Sequence, residues 1–526
     1  MVFKNSIFWC CIICFFATSV MLMKTASIET ISNIVLKSKL TRIPLSYGYS
    51  ILKFPTSTLF HILSFKSLYC TTANETSPYF KFIPEFILNI PTNENISFES
   101  KCFQNNSISS KTNGIYTTIS LVSSNPQSLL CGDFYMIANL QNIHIKSIWH
   151  SGCYSLKLKT SNNNPYLFRF KGSPSQMIYS LVDTVKLFAP YLSKNGEITP
   201  KVEKGNLNLL TNLANMSMPD VNKGYLHILD PKTVNSGDLL AIMRLDGLLP
   251  MEGFGMGSGT GHMAVALWID GELYVVESTD KTNYWPYHGI QRNKWFDWMN
   301  MAYKANYIVE YLPLNDEQLQ IFNTNAAVKW FKKVEGMPYG YHNYLFCWID
   351  TPEDNYPEPL SSQFMEVGLS YVGTKFPNIA QKMWNKALCR RLNIDMNSTT
   401  NILEYAYQQN TNFTDLMKIP EMDYWRYDGN YSMVCSVFVC ALWKKARLFG
   451  DLENQIQCTE FHNWDVYSLN FFDHSKNNCK YSENRWCHIM GDHRLDLSGA
   501  NTKKPYPRMA DNCPSKPPSY IRPSNC

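Results

Sequence analysis

Charge is scarce in this chain. Lys, Arg, Asp and Glu make up 17% of 526 residues, and the formal net charge is +5. No basic run stands out, so nucleic acid is set aside as a partner. Long apolar runs are scarce too. Residues 7–23 form a mostly apolar run of 17 residues ending at Lys24, at the short limit for a membrane span. With Lys4 before it and Ala17-Thr18-Ser19 as a small-residue cleavage site, 1–23 reads as a secretory signal, the alternative being a short signal anchor. The alternating glycines of 253–261 lack the Gly-Lys-Ser/Thr ending of a phosphate loop and lead into a strand, so they offer no helix N-terminus to an anion. They read instead as a mobile flap or a close-approach loop. Cys479, Cys487, His488 and His493 could hold zinc, but secretory cysteines at such spacings are more often disulfides. The expected chemistry calls for no metal and no cofactor.

What the chain has is apolar and aromatic content, 45% and 14%, enough for two or three cores. It also has sixteen cysteines, three of them in the signal. Thirteen remain, and an odd number in an oxidising compartment leaves at least one thiol free. Cys435 is taken as that thiol; the alternatives are another free cysteine or a bond between chains. Glycan acceptors occur at Asn74, Asn95, Asn105, Asn215, Asn397 and Asn412. A seventh, Asn430, lies so close to Cys435 that a glycan would crowd the site. The expected location is the secretory pathway, extracellular or lysosomal.

The expected fold class is α+β. Residues 24–224 read as a β-rich, sandwich-like N-terminal domain with a bridging helix. Its short β runs are 115–122, 134–140, 143–149, 154–158 and 166–170, separated by Asn- and Ser-rich turns. Cys70, Cys102, Cys131 and Cys153 are expected to staple it. It suits contact with a glycan or a membrane surface, or serves as a passive cover. Residues 225–457 read as the catalytic domain, with strands at 239–245 and 308–312, a helix over 315–334 and a helical insertion over 350–425. Residues 458–526, rich in Cys and Pro, read as a disulfide-stapled extension.

The site expectation starts at Asp270-Gly271, a two-residue hairpin turn between apolar runs. That turn puts residue 264 opposite 277, so His262 and Glu277 lie diagonally on one face. A carboxylate on one ring nitrogen fixes the tautomer and leaves the other nitrogen as a base. Alone, such a pair reads as an edge histidine and a solvated strand end. Downstream, Val434, Val437, Phe438, Ala441 and Leu442 mark one helix face, with Lys444, Lys445 and Arg447 in the last turn. Cys435 therefore sits in the first turn, where the helix dipole and free N–H groups favour a thiolate.

A thiol at a helix start with a histidine and a polar orienter on adjacent strands resembles the papain arrangement. The order His262, Glu277, Cys435 resembles the circularly permuted branch of the NlpC-type papain-like superfamily, which includes lecithin:retinol acyltransferase-like proteins. The matching stretches are Gly237-Asp238-Leu239-Leu240, Gly261-His262, Val275-Val276-Glu277, Gly336-Met337-Pro338-Tyr339 and Cys435-Ser436-Val437-Phe438-Val439. Further runs, among them P-Y-G-Y-H-N at 338–343 and M-W-N-K-A-L at 383–388, resemble a set of eukaryotic secreted proteins with no established activity. The resemblance to the permuted branch implies a permuted papain-like fold with Cys435 as nucleophile, His262 as base and Glu277 as orienter. Tyr339 and Tyr341 are candidates to line the cleft or donate to an oxyanion; packing in the core is the other reading. The implied activity is a thiol hydrolase or acyltransferase on peptide, amide, ester or lipid substrates. The alternative is a binding or scaffold protein that has kept the fold.

Overall fold

Two kinds of strand pattern divide the chain. Between 85 and 170 the strands alternate or are short, and they form two four-stranded antiparallel sheets. After 239 several are apolar on both faces, and they form one sheet of six. The computed structural model describes residues 78–505 apart from 129–130, 194, 343–360, 418, 420, 428–430, 432 and 476–485. The signal region, Cys70 and Asn74 lie outside the described residues. The chain is α+β.

The N-terminal strands are β1 (Glu85–Asn89), β2 (Asn95–Ser97), β3 (Phe103–Asn113), β4 (Tyr116–Pro126), β5 (Asp133–Ala138), β6 (Ile143–Ile148), β7 (Gly152–Lys159) and β8 (Tyr166–Arg169). They form sheets in the orders β1-β8-β5-β6 and β2-β3-β4-β7. Phe103, Ile108, Ile119 and Leu121 from one sheet meet Tyr135, Ile137, Ile148 and Leu167 from the other in a shared core. The two antiparallel sheets thus face each other across one core. Strand β5 is buried along its whole length, because its second face joins the main core through Phe134, Met136 and Ala138. The stapling differs from expectation. Cys102 pairs with Cys131, whereas Cys153 is a free, exposed thiol. Cys153 lies on β7, where it pairs with Val122 of β4 and its side chain falls on the exposed set of alternate positions.

Helices α1 (Pro174–Leu187) and α2 (Pro200–Leu213) follow. The first opens with a capping box between Ser173 and Gln176 and a proline in its first turn. Then come β9 (Leu239–Met243), α3 (Leu248–Met256), β10 (His262–Ile269), β11 (Glu272–Thr279), β12 (Gly289–Lys294), α4 (Trp295–Lys304) and β13 (Ile308–Leu312). The expected single helix over 315–334 is two, α5 (Asp316–Ile321) and α6 (Thr324–Val334), because Asn315 and Asn323 each cap a helix start. The insertion supplies α7 (Ser362–Lys375), α8 (Lys386–Leu392), α9 (Thr399–Gln408) and α10 (Phe413–Met417). Helix α11 (Cys435–Lys445), helix α12 (Asn463–Ser468) and β14 (Cys487–Met490) follow.

The central sheet runs β12-β11-β10-β9-β13-β14, antiparallel throughout. Its faces separate by parity. Leu239, Ala241, Met263, Val265 and Leu267 enter the main core with Val437 and Phe438 of α11. Leu240, Ile242, Ala264, Ala266 and Val275 enter a second core with Trp295 and Trp298 of α4. Strand β14 comes from the C-terminal extension, so that segment is a working edge of the sheet. Among the described residues, no helix is long and apolar enough to cross a membrane.

Candidate active site

The β10–β11 hairpin turns through Asp270 and Gly271, whose φ angles are +51° and +84°. Positive φ at both central residues is what a primed two-residue turn requires. The register runs from Ile269↔Glu272 to Val265↔Val276, so the same ladder sets Ala264 opposite Glu277. His262 is two residues further along the same face. Its Nε2 lies 2.8 Å from Glu277 Oε2. The second carboxylate oxygen, Oε1, accepts the indole N–H of Trp298 at 3.0 Å. Glu277 and Trp298 are both fully buried. The carboxylate is thus held by a donor on each oxygen, which stabilises it in a place where an unpaired charge would be costly.

Cys435 is the first residue of α11. Val434 caps the helix with extended backbone and no side-chain bond, so the first-turn N–H groups are not taken up by a cap side chain. The segment before the helix is fixed through Met433, whose carbonyl accepts from Ser278 Oγ at 2.6 Å and from Gly340 N at 3.0 Å. A Cβ on Gly340 would lie 2.6 Å from the Met433 backbone, so only glycine permits that approach. Ser278 is the neighbour of Glu277, and this clamp brings the helix start to the end of β10. The Cys435 thiol lies close enough to the His262 imidazole to act on its proton affinity. With Nε2 occupied by Glu277, the nitrogen left for sulfur is Nδ1. Burial pulls the His262 ring down, but its interactions with Cys435 and Glu277 outweigh this and raise it from 6.5 to about 10.

His262 and Glu277 therefore meet, with Cys435 beside the imidazole, and Cys435 is free while Cys440, further along the helix, is bonded to Cys458. Two residues of the site were not anticipated. Trp298 belongs to the second core, and its N–H also orients Glu277. Asn463 comes from the C-terminal extension, where no motif marks it. Its Oδ1 lies 3.6 Å from Cys435 Sγ and its Nδ2 donates to the Thr260 carbonyl at 3.0 Å.

Tyr339 and Tyr341 part company. Tyr341 donates its hydroxyl to Asp280, which also accepts from Tyr191 at 2.9 Å; it supports the site from behind. Tyr339 borders a small cavity of about 30 Å³ shared with His262, Glu252, Trp285 and Tyr307. The glycine segment is half helix, as α3, and half close-approach loop. A Cβ at Gly261 would lie 2.6 Å from the Leu249 carbonyl, and one at Gly259 only 1.6 Å from that of Asp496. His488 and His493 are engaged elsewhere. His488 Nδ1 lies 3.2 Å from Glu310, and His493 lies within 3.0 Å of Glu203 and 2.8 Å of Asp220. Cys487 is disulfide-bonded. The acceptor asparagines Asn95, Asn105, Asn215, Asn397 and Asn412 are exposed.

No known family, curated protein or solved structure matches the chain.

Proposed function

We propose that the chain is a thiol hydrolase or acyltransferase of the permuted papain-like kind, acting on amide, peptide or ester bonds, lipid amides and esters included. The observation that carries this reading is the His262 Nε2–Glu277 pair at 2.8 Å with the Cys435 thiol beside the same imidazole at a helix start, which leaves Nδ1 for the sulfur. An imidazole raised to about 10 is protonated at neutral pH, which favours a thiolate beside it. The thiolate attacks the substrate carbonyl, and the carbonyl electron pair moves to oxygen. The Cys435 backbone N–H at the helix start stabilises that oxyanion, with the Tyr339 hydroxyl as the second candidate donor. As the tetrahedral species collapses, the His262 proton passes to the leaving nitrogen or oxygen. An acyl-thioester remains. Water or an acceptor then attacks it, His262 takes the attacking group's proton, and sulfur leaves with its electron pair.

The Cys102–Cys131 and Cys440–Cys458 disulfides and exposed glycan acceptors support a secretory compartment. A peptide, amide or lipid is the partner this chemistry implies, and the sandwich offers a surface for glycan or membrane. The burial of Cys435, 6% exposed, favours a second reading, a binding protein that keeps the three residues without turnover. Turnover of model amides and esters by the wild-type chain and by Cys435→Ser separates the two. Activity lost in the variant supports the enzyme; no activity in either supports the binding protein.

A further inference from the structure

Cys435 Sγ has two neighbours that compete for one proton. His262 approaches from β10, and Asn463 Oδ1 approaches from α12 at 3.6 Å. The amide of Asn463 is fully buried, and its orientation is set by Thr260. Nδ2 faces the Thr260 carbonyl at 3.0 Å, and a carbonyl can only accept. Turning the amide over would press two oxygens together. Thr260 is itself fixed, since its Oγ1 lies 2.5 and 2.7 Å from the carbonyls of Ile242 and His262, its one proton going to either, and accepts from Ile242 N at 2.9 Å. A hydrogen-bond acceptor is therefore held permanently against the sulfur.

We propose that Asn463 is a positioning residue that holds Cys435 in its protonated thiol form in the empty site, opposing the ion pair that His262 favours. An acceptor beside sulfur stabilises S–H and repels S⁻, so the reactive form is drawn down until substrate arrives. An acyl-thioester carries neither proton nor charge on sulfur, so Asn463 costs nothing once acylation is complete. The proposal builds on Cys435 as the nucleophile, yet its test reads the thiol alone and needs no turnover.

The titratable groups near the sulfur include Glu252 of α3, which is buried and shares a cavity with His262 and Tyr339. Glu277 of β11 lies behind His262 at 2.8 Å and acts through it. Tyr339 stays neutral, its ionisation opposed first by burial and then by Cys435. His462 and Asp465 face each other at 3.3 Å at the start of α12. From α6, the residues packed on α11 are Trp330 and Phe331, against Phe438.

The test is the pH dependence of Cys435 alkylation by iodoacetamide, quantified at that residue by mass spectrometry, in a Cys153→Ser background. Asn463→Leu removes the acceptor at similar volume, and Thr260 keeps its bond from Ser258 Oγ at 3.0 Å. We expect its alkylation to reach half-maximal rate at lower pH, with a rate at neutral pH about tenfold higher. Asn463→Asp puts a carboxylate against the sulfur and should slow alkylation and move the profile upward. An unchanged or upward-shifted profile in Asn463→Leu would overturn the proposal, because the amide would then be donating to the thiolate. If the leucine variant melts before measurement, Asn463→Asp decides, and faster or unchanged alkylation there has the same force. Loss of turnover in Cys435→Ser is a separate result that leaves this one standing.

Discussion

At the residue scale, His262 does two things with two nitrogens, and the predicted effects of substitution follow from that. Cys435→Ser should abolish turnover and leave the fold intact, since the volume change is small and a hydroxyl is a far weaker nucleophile. His262→Ala should be nearly as severe. Glu277→Gln should cost less, because an amide still bonds the imidazole without stabilising its cation. Acid–base contributions of this kind are worth about a hundredfold to ten-thousandfold in rate, and the Cys435/His262 double variant should be scarcely worse than Cys435→Ser. Initial rates on one ester substrate check all four. Trp298→Phe would leave Glu277 Oε1 without the indole donor now at 3.0 Å. A buried unsatisfied acceptor costs about 1–3 kcal/mol, so its denaturation midpoint should fall while the rate falls less than in Glu277→Gln. His262 also ties stability to pH. Raised from 6.5 to about 10, it keeps a proton in the folded chain that the unfolded chain releases over that range. Its stabilisation is full below 6.5 and lost as pH rises through 10. Urea melts across that window should show stability falling with pH, and a flatter profile in His262→Gln.

At the scale of elements, the hairpin was legible because a two-residue turn fixes register, and register fixes parity. Asp270-Gly271 alone was enough to place His262 against Glu277. The start of α11 was legible from its apolar period and its basic last turn. Less was legible where one residue changes the element. Asn323 splits 315–334 into two helices, although Asn-Thr is a usable capping signal. The segment 253–261 has glycine at alternate positions, yet its first part continues α3 and ends at Gly257, whose φ is +61°. The close contacts of Gly259 and Gly261 involve Asp496 and Leu249, and no local pattern names such partners. The sandwich and the insertion meet through a buried carboxylate that was equally invisible. Glu366 of α7 accepts from Tyr166 of β8 at 2.7 Å and from Tyr407 of α9 at 3.0 Å. Burial raises Glu366 from 4.5 to about 7, against those donors. The folded chain thus holds this proton more tightly, and stability from this group falls as pH rises from 4.5 through 7. Glu366→Gln should flatten that slope and raise the neutral-pH melting temperature, as calorimetry at pH 5 and 7.5 would show.

At the scale of the whole molecule, the segments either side of the expected boundaries are joined by buried bonds. Asn206 of α2 donates to the carbonyls of Leu187 and Leu245 at 3.3 and 3.0 Å. Arg244 donates to the Gly196 carbonyl, and a Cβ on Gly247 would lie 2.6 Å from the Leu187 backbone. A chain beginning at 225 should therefore lose cooperative unfolding, with circular dichroism melts as the check. At the other end, Asn463 and β14 could not be read from sequence because both act through contacts made only in the folded chain. The central claim is that Cys435 is the activated thiol, and a thiol-reactive electrophilic probe on the native chain, with the labelled peptides mapped, tests it most directly. The account predicts labelling at Cys435 that is lost in His262→Ala, while the exposed Cys153 labels in both. Labelling of Cys153 alone, or of Cys435 only after denaturation, would contradict it.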